Sequence, residues 1–170
     1  MQTYPRSMSR DDESARHELH LAACIDDALT SSRGGAGGPF AARVVRGDAV
    51  LAVGWNQVTS ANDPTAHAEV QAIRAACRTL GTFQLTGCTL YTSCEPCPMC
   101  LGAIYWARPS AVVFAATRHD AAAAGFDDAL VYEEIARSPG ARRIPFEHVP
   151  HPRAAEPFAA WVVLPDRIRY

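Results

Sequence analysis

The sequence predicts an α/β protein, a central sheet whose faces are covered by helices. Three observations carry that prediction. Short β-rich runs alternate with longer stretches of helical periodicity, in the order α-β-β-α-β-α-β-α. The chain has 170 residues, enough for one domain with a sizeable core. The hydrophobic fraction is 48% and the charged fraction 20%, so a packed core can form without a disulfide framework.

The elements follow in order. Met1 to Asp12 is polar and aperiodic and reads as a disordered leader, ahead of a single domain over residues 13–170. Glu13 to about Ser32 reads as a helix, with Leu21, Cys24, Ile25 and Ala28 at i, i+3, i+4, i+7 on one face. Arg33 to Pro39 contains four glycines and ends it; without a Gly-Lys-Ser/Thr the segment is a flexible loop and not a phosphate cradle. Phe40–Val45 and Ala49–Gln57 form a hairpin around Arg46-Gly47-Asp48. Asp63 caps a helix whose first residue is Pro64. That helix runs to Leu80, buries Val70, Ile73, Ala76 and Cys77, and stops at Gly81. Thr89–Ser93 is a strand, Pro98 starts a helix reaching about Ala107, and Ala111–Ala115 is a further strand. Beyond Thr117 the pattern weakens. Asp120–Gly125 and Asp128–Arg137 look helical, Arg142–Val149 is a strand or extended segment, and Glu156 to about Val163 is a last helix.

Charge and composition exclude some classes of function. The net charge of −2 provides no basic footprint for nucleic acid. The late arginines, from Arg137 to Arg169, are scattered among acids as on a solvated face. No run of 18 apolar residues exists to span a membrane, and the first 16 residues contain no apolar signal segment. Cys94, Cys97 and Cys100 crowd together as metal ligands do, whereas Cys24, Cys77 and Cys88 read as core. Clustered thiols imply a reducing, cytoplasmic setting.

Two short segments carry the chemistry. Pro64-Thr65-Ala66-His67-Ala68-Glu69 supplies an imidazole and a carboxylate, and Cys94-Glu95-Pro96-Cys97-Pro98-Met99-Cys100 supplies thiols. Cys97 and Cys100 fall at the cap and first turn of a helix, where residues three apart share a face. A helix N-terminus lowers a thiol pKa, and zinc binds the thiolate. His67, Cys97 and Cys100 as ligands leave the fourth tetrahedral position to water, as in a catalytic zinc site, where bound water has a pKa of about 7. Glu69 is then the proton-transfer group and not a ligand. A four-ligand structural site that adds Cys94 is the alternative, and with it a non-catalytic zinc-stabilised binding module. Glu69 separates the two, because a structural site has no use for it.

The chain resembles the cytidine-deaminase-like zinc hydrolase superfamily, in its bacterial guanine deaminase branch, from about Gly38 to Tyr170. The matching residues are Asn62 to Val70, Tyr91 to Arg108, Ala124-Gly125-Phe126-Asp127-Asp128, and Tyr170. The zinc pattern alone suits several amino-heterocycles; Gly125 to Asp128 and Tyr170 narrow it. The resemblance implies a three-layer α-β-α sandwich with a central mixed five-stranded sheet. It implies Zn2+ on His67, Cys97 and Cys100, with Glu69 as proton shuttle and Asp128 as a second acid/base group. It also implies substrate contacts at Asn56, Phe40, Ala68, Trp106 and Tyr170. The implied reaction is hydrolytic deamination of guanine to xanthine and ammonia; guanosine, ammeline, a cytosine-like ring and, more remotely, tRNA adenosine are the other substrates of this chemistry. Similar guanine deaminases are homodimers that exchange their C-terminal segments, here about residues 140–170, so Tyr170 would serve a neighbouring subunit.

Overall fold

The structure is a computed structural model that describes residues 9–169. The expectations for residues 1–8 of the leader and for Tyr170 lie outside the described residues. The chain falls into two compact units, Met1–Asp128 and Ala129–Tyr170.

The first unit opens with helix α1, Arg10–Arg33. Its start lies three residues ahead of the expected one. Ser9 and Asp12 form a reciprocal capping box, with the Ser9 hydroxyl accepting from the Asp12 amide at 3.1 Å. The polar run Arg10-Asp11-Asp12 is therefore a capped first turn, its acids set against the positive end of the helix dipole. The buried stripe is His20, Cys24 and Ala28, rotated from the expected face, so that Ile25 is exposed.

Strands β1 (Ala41–Arg46) and β2 (Ala49–Trp55) form the expected antiparallel hairpin. A short helix α2, Val58–Ala61, follows, then α3, Ala68–Leu80. Asp63 does not cap α3. Its Oδ1 accepts the Thr65 amide at 2.8 Å and the Thr65 hydroxyl at 2.7 Å, closing a local turn. The helix begins four residues later than expected, with His67 in extended conformation at its N-cap. Gly81, in the left-handed conformation, ends it. Strand β3 (Thr89–Cys94), helix α4 (Pro98–Ala107), strand β4 (Ala111–Ala116) and helix α5 (Arg118–Ala123) complete the unit.

The sheet order is β2-β1-β3-β4. β1 pairs antiparallel with both β2 and β3, and β3 pairs parallel with β4, so the sheet is mixed. Successive residues of a strand face opposite sides. Leu90 packs with Ala42, Val44, Ala72, Ile73 and Ile104, under α3 and α4. Tyr91 packs with Val45 and Cys24, under α1. Helices thus cover both faces, as the alternating pattern predicted.

The sheet has four strands among the described residues, not five. The missing one is Arg142–Val149, in the second unit. Pro145 has no amide to give to a ladder, and Pro150 follows directly. Arg142 and Arg143 bond instead to Glu134, through Nε to its carbonyl at 3.1 Å and through the amide to its carboxylate at 2.7 Å. This unit contains α6 (Ala129–Ala136), a 3-10 turn (Pro139–Ala141) and α7 (Glu156–Val162).

Candidate active site

Two helix N-termini build the site. His67 is the N-cap of α3 and Cys97 the N-cap of α4, with Pro98 at the first helical position and Cys100 in the first turn. Because His67 has left the helical conformation, its ring is not bound to the angular spacing of α3. His67, Cys97 and Cys100 bring one ligand atom each within 4.8 Å of one another. His67 Nδ1 stands 3.5 Å from each sulfur. A nitrogen and a sulfur on one tetrahedral zinc ion lie about 3.5 Å apart, given bonds of about 2.0 and 2.3 Å. The donor set and its spacing therefore fit zinc.

Cys94 stands apart. It ends β3, and its thiol donates to the Thr117 carbonyl at 3.6 Å. The ligand group contains three residues and not the four of a closed structural site.

A hydrogen bond couples the two thiols. The Cys100 thiol, donating to Cys97, pulls Cys97 down to about 4, and His67 adds to the effect. The same bond, with burial, pushes Cys100 well up. The hydrogen bond with Cys97 also raises His67. Cys97 thus favours the thiolate, the form that binds a metal cation.

Glu69, in the first turn of α3, is buried. Burial pushes its carboxyl above the usual carboxylate range, and the charge on Cys97 pushes the same way. Asp128 is raised too, again by burial first and by Cys97 second. Both acids line one cavity of about 370 Å³, a size suited to a small heterocycle. Phe40, Asn56 and Ala68 line it as well, beside His67 and Cys97. Phe40 meets Phe126 edge to face, with ring centroids 4.9 Å apart, giving the cavity an aromatic wall.

Trp106 is the exception among the described site candidates. It sits on the last turn of α4, 63% exposed, and is not part of the cavity wall. The helix buries Cys100, Ile104 and Ala107, which turns Trp106 away from them.

Sequence reasoning passed over Glu95 and Arg118. Both line the cavity, and the Arg118 amide donates to Glu95 Oε2 at 3.0 Å, tying the end of β3 to the start of α5. Thr117-x-x-Asp120 was the available signal: its capping box fixes where α5 begins.

Residues 14–116 match the family model for the cytidine and deoxycytidylate deaminase zinc-binding region. The chain is 55% identical over 145 residues to the guanine deaminase of Bacillus subtilis, an alignment spanning 85% of this chain and 93% of that protein. It superimposes on an X-ray structure of guanine deaminase from Bacillus subtilis with a TM-score of 0.89, at 52% identity, over 91% of this chain and 98% of that one. A structure of guanine deaminase from Nitrosomonas europaea aligns with a TM-score of 0.63 at 32% identity, over 74% of this chain and 69% of that one. The matched residues include His67, Glu69, Cys97 and Cys100, so the signature that placed the ligands also places the lineage: the chain belongs to the cytidine and deoxycytidylate deaminase zinc-binding family.

Proposed function

We propose that this protein is a zinc-dependent hydrolase that deaminates guanine to xanthine and ammonia, acting on the C–N bond of a cyclic amidine. The observation that carries the reading is the 55% identity with a guanine deaminase over 85% of this chain. The cavity that joins the His67-Cys97-Cys100 group to Glu69 and Asp128 gives that identity a chemical meaning.

Zinc, when bound, supplies a water that is nucleophilic at neutral pH. The chain does the rest. Glu69 takes a proton from the attacking water at its carboxylate and delivers it to the ring nitrogen next to C2. The carboxyl's raised affinity for protons suits it to both halves of that transfer. The second proton of that water leaves the new C2 hydroxyl and is passed by Glu69 or Asp128 to the amine, which departs as ammonia as the C2 carbonyl forms. Phe40 holds the ring flat, and Asn56 hydrogen-bonds its edge. Ala68, at the first turn of α3, offers a backbone amide with no partner inside the helix.

The finer reading has three parts. The protein is a homodimer that exchanges about residues 140–170 between subunits, which brings Tyr170 to the neighbour's site. Exposed apolar side chains in this segment, among them Phe146, Phe158 and Ile168, support an exchanged packing partner. Trp106, on the exposed side of α4, helps wall a ring only as part of such an assembly. The setting is the cytoplasm, since all six cysteines are free and a thiolate centre calls for a reducing compartment.

The test is ammonia release by the zinc-loaded protein from guanine, guanosine, ammeline, cytosine, cytidine and adenine. Guanine is the expected substrate. Turnover of cytosine or adenine without guanine would overturn the ring assignment and leave the deamination chemistry standing.

A further inference from the structure

The glycine-rich loop after α1 has no part in the zinc chemistry, yet it lies directly against Asn56. Asn56 is buried, 7% exposed, and its carboxamide lines the cavity. Its Oδ1 receives two backbone amides, Gly38 N–H and Val58 N–H, each at 3.2 Å. An amide N–H can only donate, so the atom facing both must be the carboxamide oxygen. Among the described residues these are the hydrogen bonds of the carboxamide, and both fall on the oxygen. The –NH2 group is left to the cavity with two donors.

This arrangement requires glycine at position 37 and leaves little room for a side chain at position 38. A Cβ on Gly37 would lie 2.2 Å from the Asn56 carbonyl oxygen and 2.9 Å from its Oδ1. A Cβ on Gly38 would lie 3.3 Å from the Phe40 ring and 3.5 Å from Asn56 Cγ. The loop is held in place from both ends. The Ala36 amide donates to the Ser31 carbonyl at 3.0 Å, and the Ser60 hydroxyl donates to the Ala36 carbonyl at 2.6 Å. Farther on, the Asn56 amide donates to the Phe40 carbonyl at 3.0 Å.

We propose that Gly37 and Gly38 are positioning residues, a close-approach clamp that fixes the Asn56 carboxamide with its oxygen inward and its two N–H donors toward the substrate. The clamp makes the cavity selective for a ring edge carrying a hydrogen-bond acceptor, an oxo group or an unprotonated ring nitrogen. A buried donor pair left without an acceptor disfavours rings lacking one. The proposal deepens the guanine reading and rests on it for the identity of the ring, but not for the orientation of Asn56.

The experiment is a double-mutant cycle on the zinc-loaded full chain, with Gly37→Ala, Asn56→Asp and the pair. Asn56→Asp keeps an oxygen for the two amides and removes both donors. Gly37→Ala is expected to lower kcat/KM for guanine about 100-fold, the scale of a misplaced contact, with zinc content unchanged. In the Asn56→Asp background the same substitution is expected to cost almost nothing further. The Asn56 carboxamide resonances, assigned by their loss in Asn56→Asp and read without substrate, are expected to shift in Gly37→Ala. If Gly37→Ala does not fold, Ser60→Ala loosens the same loop without adding an atom, and is expected to lose about tenfold with the same dependence on Asn56. An equal loss in both backgrounds, or full activity with unshifted Asn56 resonances, would overturn the clamp. Failure of the unmodified protein to act on guanine would remove the substrate reading alone, because the resonances still report on the clamp.

Discussion

Glu69 is the proposed proton-transfer group, and its carboxyl is hydrogen-bonded to the Cys100 thiol. It is buried beside the ligand group, and its carboxyl is pushed toward the protonated form chiefly by burial. Glu69→Gln keeps the shape and removes the proton transfer, while His67, Cys97 and Cys100 remain in place. The expected outcome is full zinc content by metal analysis with ammonia release from guanine reduced by about 10²- to 10⁴-fold. A variant that loses its zinc would instead make Glu69 part of the metal site. The ligands and Glu69 were legible in the sequence because each lies within three residues of a partner on one helix terminus. Asn56 was legible only as a candidate. The amides that orient it belong to Gly38 and Val58, and the nearer of the two is itself part of a helix, α2, with no apolar periodicity to announce it. Trp106 lies off the inner face of α4, which Cys100, Ile104 and Ala107 claim.

At the scale of elements, the site depends on how closely α3 approaches the sheet. Gly54 in β2 permits that approach, since a Cβ there would lie 2.4 Å from the Ala68 carbonyl oxygen and 2.5 Å from the Ala72 nitrogen. Both contacts are backbone and cannot swing aside. Gly54→Ala is expected to destabilise the protein by roughly 2–3 kcal/mol, seen as a lower denaturant midpoint, and to weaken zinc retention because Ala68 adjoins His67. Helix α1 gives a separate expectation. His20 is buried with its ring 4.7 Å from that of Tyr91, and burial, then Arg16 and Arg43, lower its pKa. The unfolded chain therefore binds a proton at His20 more readily than the folded chain does. Stability contributed by neutral His20 is complete above its unfolded pKa of about 6.5 and declines as pH falls toward the lower folded value. His20→Phe is expected to flatten the denaturant midpoint between about pH 5 and 7; an unchanged slope would exclude His20 as its source. The extents of these elements were less legible than their existence. The starts of α1 and α3 were set by polar hydrogen bonds, Ser9 with Asp12 and Asp63 with Thr65, which hydrophobic periodicity does not register. Arg142–Val149 carries strand-like residues, but a strand needs a partner ladder, and no short stretch of sequence specifies one.

The whole molecule presents apolar surface that a single copy leaves in water. Leu101, Tyr105 and Trp106 on α4 are 42%, 75% and 63% exposed, and Phe114 on β4 is 43% exposed. Among the described residues β4 is also an edge of the sheet, paired only with β3, and its sequence, Ala-Val-Val-Phe-Ala-Ala, contains no charge or proline to discourage association. Helix α4 starts at the metal ligands and ends in this surface, so burying one end of it against a second copy steadies the other. The proposed homodimer supplies that cover. Sedimentation velocity on the full chain is expected to return twice the 18.3 kDa chain mass at micromolar concentration. Tyr105→Glu puts a charge at the most exposed of these large apolar side chains and is expected to weaken the dimer by about 30-fold or more, the effect of losing one central aromatic anchor. Activity should fall in step with the dimer fraction as the variant is diluted, if Tyr170 of one copy serves the site of the other as proposed. A fully active monomer would overturn both the dimer and the shared site, and would return the whole of the chemistry to the single cavity bounded by α3, α4 and residues 125–128.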